Sequence, residues 1–78
     1  MQDEQTDEIL SELSASIEHD SGRDKNYYQR GLIYKNEGLW EKAETDFAKA
    51  FSLWTDPLYL SEWREAANER QAAQTLEE

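Results

Sequence analysis

All nine aromatic residues of this 78-residue chain lie between Tyr27 and Trp63, and that clustering constrains the fold more than any other feature. Buried aromatics remove large apolar areas from water, so the core has to be assembled from this segment. A chain of this length sits near the lower limit at which one hydrophobic core supports folding. It has no cysteine, so neither a disulfide framework nor a thiolate metal site can staple it. Packing must carry the stability, and residues 1–78 read as a single small helical domain.

Within the aromatic segment the apolar spacing is helical. Tyr27, Gly31 and Tyr34 fall on one face of a helix running from Asp24, a residue suited to capping, to about Glu37. Tyr28, Leu32 and Lys35 repeat that spacing on the neighbouring face. Glycine in mid-helix costs about 1 kcal/mol relative to alanine, so Gly31 is expected to serve close approach of another helix, with Ala43 opposite it. Gly38 is a C-terminal stop. A second helix, about Trp40 to Leu53, carries Trp40, Ala43, Phe47, Ala50, Phe51 and Trp54 on one stripe. The short glycine-centred connection makes these two helices antiparallel.

Flanking helices complete the reading. Ile9, Leu10, Leu13 and Ile17 form a thin stripe along an N-terminal helix at 3–18, with Thr6 as its candidate cap. A helix this short is marginal alone in water, so it must dock on the hairpin or fray. The sequence His19-Asp20-Ser21-Gly22-Arg23 favours a turn. After Thr55, Asp56 caps and Pro57 opens a last helix at 57–74, with Tyr59, Trp63, Ala66 and Ala67 on one face. Residues 75–78 form a polar tail that is expected to fray.

The hairpin at 24–57 resembles a tetratricopeptide repeat, a helix–turn–helix unit of 34 residues. With Gly31 on the family's first glycine, Tyr27 stands at its Trp position, Tyr34 at its Tyr and Gly38 at its turn glycine. Ala43, Phe47 and Ala50 take the small, aromatic and small positions that follow. Arg30 replaces the usual leucine, and Pro57 comes two residues late. Shifted by one repeat, Ile9, Leu13, Ser16 and Ile17 fall on Ala43, Phe47, Ala50 and Phe51, and Trp63 falls on Tyr27. The resemblance therefore implies an all-α fold of about four helices: one complete repeat with one flanking, capping helix on each side.

Charge and motif narrow the function. The net charge is -10, and residues 1–20 hold seven acidic side chains and no basic ones. Such a chain repels phosphate backbones, which argues against nucleic acid and makes basic peptides or proteins the electrostatically favoured partners; the charge also serves solubility. No apolar run approaches a membrane span, and the acidic N-terminus is unlike a signal peptide; with the lack of cysteine this fits a cytoplasmic protein. His19, Asp20 and Ser21, adjacent on a turn, cannot adopt triad geometry. The pairs Asp7/Glu8 and Glu77/Glu78 lie in polar surroundings where nothing would raise a pKa for acid–base work. No calcium-loop or phosphate-loop pattern is present, and no cofactor is expected.

What is left is binding. The resemblance implies a non-catalytic interaction module whose first repeat helix lines a groove for a peptide or protein segment. Carried onto this chain, the groove positions are Lys25, Tyr28, Leu32, Lys35 and Asn36. Tyr28 and Leu32 stand where chaperone-binding members carry carboxylate-clamping residues, so a clamp of that type is not expected. The alternative is structural: a homodimer, or a fragment of a longer helical array, with the Tyr28/Leu32/Lys35 face covered by a flanking helix or a second copy.

Overall fold

Local chemistry at three connections divides the chain. After Tyr34 the backbone closes with the Gly38 N–H donating to the Lys35 carbonyl at 3.0 Å and the Leu39 N–H to the Tyr34 carbonyl at 2.8 Å. This paired closure is a Schellman motif, which requires a left-handed residue, and Gly38 has φ +78°. Nothing lies within 4 Å of where a Gly38 Cβ would be, so substitution there tests the backbone alone. Gly38→Ala is expected to cost about 1 kcal/mol, seen as a lower urea midpoint with an unchanged slope.

Asp56 caps the last helix, accepting the Leu58 N–H at 2.9 Å, with Pro57 at the first helical position. The Asp20 carboxylate accepts the Gly22 N–H at 3.1 Å and Arg23 Nε at 3.0 Å. Those two hydrogen bonds, Arg23 first, hold its pKa below the usual carboxylate value.

The computed structural model describes residues 4–77. It is all-helical, with α1 at Glu4–His19, α2 at Asp24–Asn36, α3 at Trp40–Leu53 and α4 at Pro57–Glu77, and there is no strand among the described residues. Residues 1–3 and 78 lie outside this range, and with them the expected first residue of α1 and the end of the polar tail.

Four expectations at the helix ends need correction. α1 begins at Glu4, which puts Thr6 inside the first turn rather than at the cap. The cap residue of α2 is Arg23, extended and without a side-chain cap bond, while Asp24 is the first helical residue and its carboxylate accepts from the Tyr59 hydroxyl at 2.5 Å. Trp54 is extended at the end of α3 and 65% exposed, so it leaves the apolar stripe. α4 continues to Glu77 rather than stopping at Gln74; Thr75, Leu76 and Glu77 include neither glycine nor proline to end it.

Contacts fix the helix directions. Along α2, Arg30 meets Asp46 and, one turn later, Tyr34 meets Lys42, one turn earlier on α3, so the two helices are antiparallel. Arg70 pairs with Glu44 and Trp63 with Phe51, which makes α4 antiparallel to α3. Asp24 meets Tyr59 while Lys35 meets Glu62, so α2 and α4 are parallel. Two core clusters join the layers: Ile17, Tyr27, Ala50 and Tyr59 at one end, and Ala43, Phe47 and Ala66 at the other. The closest neighbour of Gly31 is the Phe47 ring, 2.7 Å from an ideal Cβ position. Ala43, expected opposite Gly31, packs beside that ring in the cluster with Phe47 and Ala66.

Candidate functional site

The second face of α2 is covered by α4. The Tyr28 ring lies 4.8 Å from that of Tyr59, tilted by 37°, and 6.0 Å from Phe47. Leu32 packs on the Ala43–Phe47–Ala66 cluster beside Trp63. Lys35 Nζ is 2.8 Å from Glu62 and 3.1 Å from Glu65. Burial works against the Lys35 charge, but hydrogen bonds to both glutamates outweigh it and leave its pKa above the usual lysine value. Burial and then the Glu62 charge push the Tyr28 hydroxyl up.

Three of the five groove positions are thus engaged by α4, while Lys25 and Asn36 are exposed. The Tyr28 end of the Tyr28/Leu32/Lys35 face is filled by Tyr59, while its Leu32/Lys35 end, half-buried against α4, still borders open space. The fit to α4 is one of chemical complementarity: Tyr59, Glu62 and Ala66 present ring, carboxylate and small residue in register with that face.

Tyr59 ties the covered face down. Burial, followed by donation of its hydroxyl proton to Asp24, raises its pKa from 10.0 to about 12. A raised folded-state pKa stabilises the fold fully below the unfolded value and loses that contribution as pH climbs through the folded one. Stability is therefore expected to fall between the two values, checked by urea midpoints across the window. Tyr59→Phe should flatten that slope.

A polar constellation lies on the other side of α2. Arg30 Nε and Nη2 each donate to Asp46 at 2.8 Å, and Nη1 donates to Ser14 Oγ at 3.2 Å. The guanidinium is 6.0 Å from the Tyr27 ring centroid and 5.8 Å from that of Tyr34. Asp46 is only 2% exposed, and its hydrogen bond raises the Arg30 pKa. This pair joins α2 to α3 and reaches α1; the arrangement is structural cement rather than a reactive group.

One open surface with an apolar lining is at the far end of the bundle, around Trp40. An exposed hollow of about 590 Å³ is lined by Leu32, Ile33, Lys35, Asn36 and Trp40. A second, of about 320 Å³, lies on the other side of the same indole, between Leu39, Lys42, Arg70 and Ala73. Leu39 is 41% exposed. Leu32, Lys35 and Asn36 are shared with the expected groove; Lys25 and Tyr28 are not. The apolar spacing alone puts Trp40 on the core stripe of α3. Its place at the very first residue of that helix is the signal that its outer edge faces solvent.

No protein-family model, curated protein or solved structure matches the chain. Among the described residues no group of three or more His, Cys, Asp or Glu side chains could hold a metal ion, and no helix is long and apolar enough to cross a membrane. What the Trp40 surface offers chemically is shape, apolar area, the Asn36 amide and the cationic side chains of Lys35, Lys42 and Arg70.

Proposed function

We propose that this chain is a non-catalytic protein–protein interaction module of tetratricopeptide type that grips a peptide or protein segment at the Trp40 end of the bundle. The repeat reading rests on the spacing of Tyr27, Gly31, Tyr34, Gly38, Ala43, Phe47 and Ala50; the parallel α2 and α4 accord with it as with any up-and-down helical bundle. The observation that carries the binding reading is Trp40 itself, half-buried between two adjoining hollows. Tryptophan is among the residue types enriched at the energetic centres of protein interfaces. Ile33 and Leu39 extend the apolar area, and the net charge of -10 favours a basic segment only at long range, since Lys35, Lys42 and Arg70 border the hollows themselves.

The test uses the full chain. Peptides selected against it from a random displayed library are titrated into isotope-labelled protein. Amide shifts should concentrate at Leu32, Ile33, Asn36 and Leu39–Lys42. Ile33→Asp and Leu39→Asp should each weaken binding by about tenfold, about 1.4 kcal/mol, whereas Lys25→Ala should leave it unchanged. Shifts confined to other surfaces would sink this assignment.

A further inference from the structure

We infer that α1 is an exchangeable arm: its seat on the α2–α3 hairpin releases it as a unit and accepts the α1 of a second copy. The attachment is thin. Ile17 is the anchor at 9% exposed, whereas Ile9 is 46% exposed, and Leu10 and Leu13 are only half-buried. The helix carries Asp7, Glu8, Glu12 and Glu18 without a lysine or arginine. Glu8 and Glu12 are one turn apart, and like charges at that spacing weaken a helix. α1 therefore depends on its seat.

The seat loses the Ile17 packing when α1 leaves, but its buried ion pair does not depend on α1. If α1 leaves, Arg30 gives up its contact with Ser14 Oγ but keeps both 2.8 Å hydrogen bonds to Asp46. No buried charge is orphaned, so the usual penalty against opening such a junction is absent. The connection at 20–23 is exposed and held by the Asp20 hydrogen bonds to Gly22 and Arg23 and by the Tyr27 hydroxyl donating to the Ser21 carbonyl at 3.1 Å, which its opening would break.

The occupant follows from the chemistry. What the seat recognises is an acidic amphipathic helix with an aliphatic anchor and a small hydroxyl residue aimed at the Arg30 guanidinium. The α1 of a second copy brings those groups in the same register, and exchange of an identical element is a low-cost route to a dimer. In the parent chain the short tether holds α1 at an effective concentration on the order of millimolar, so the closed monomer dominates in dilute solution. The proposal does not depend on the Trp40 surface.

Deleting Asp20, Ser21 and Gly22 from the full chain leaves one residue between α1 and α2, too few to reverse the chain. Sedimentation equilibrium at micromolar concentration should then give twice the monomer mass, with the Tyr27 and Ala50 amides protected as in the parent. A monomer, or a loss of helical circular dichroism showing that the hairpin fails without α1 folded back, would overturn the proposal. In the parent, α1 amides should exchange hydrogen at least about tenfold faster than those of α3. Equal rates in both helices would mean that α1 opens only with the whole domain, and would overturn it too.

Discussion

Arg30→Met is expected to destabilise the fold by about 3–5 kcal/mol, because it leaves a buried carboxylate with no counter-charge. Asp46 is 2% exposed and accepts two hydrogen bonds from the Arg30 guanidinium at 2.8 Å each. A domain of this length has about 4–12 kcal/mol in total, so the variant should melt far below the parent or fail to fold. Arg30→Lys should rescue little, since an ammonium cannot reproduce the two-pronged geometry or lie between the Tyr27 and Tyr34 rings as the guanidinium does. Arg30→Met combined with Asp46→Leu should recover most of the loss, because no charge is then left buried. Urea and thermal unfolding of the four proteins decide the matter. A loss below about 1 kcal/mol in Arg30→Met would put the pair in the class of exposed bridges.

That ion pair also marks the limit of what is legible in the sequence. Arg30 is visible there as a departure from the repeat pattern, a charge where leucine is usual. Its partner is sixteen residues away, and Asp46 stands beside Phe47 on α3 with only its flanking apolar neighbours to suggest that it is buried. Pattern shows that such a charge is out of place; only the approach of two helices shows what satisfies it.

Helix existence is legible because it follows from local chemistry. Gly38, Asp56 and Pro57 act within a turn of themselves, and the structure has them acting there. Asp24 has the same local credentials as a cap, yet its carboxylate goes to Tyr59 on another helix. The α2 face is the same kind of case. Spacing identifies Tyr28, Leu32 and Lys35 as a face, but its covering by α4 depends on Glu62 and Glu65 arriving beside Lys35. The Trp40 surface is legible least, because it is defined by where neighbouring elements end.

Gly31 and Phe47 give the sharpest test of the packing. In the parent, Gly31→Ala should destabilise by about 1–3 kcal/mol through overpacking, although alanine favours helix over glycine by about 1 kcal/mol. Distance decides between the two effects. An added Cβ would lie 2.7 Å from Phe47 Cε1, 2.8 Å from Cδ1 and 3.1 Å from Cζ. The ring cannot give way, because Phe47 is fully buried among Ala43, Ala66, Leu32 and Trp63. Phe47→Ala would cost about 3–5 kcal/mol, so the milder Phe47→Leu, which removes the ring edge facing Gly31, is the better background. There the sign of Gly31→Ala should reverse, becoming neutral or stabilising by up to about 1 kcal/mol. The double-mutant cycle would then show a coupling of about 1–3 kcal/mol in the direction of rescue. Additive effects would mean that the glycine is not what lets α2 and α3 meet, and would remove the packing reason for a helix-weakening residue in the middle of α2.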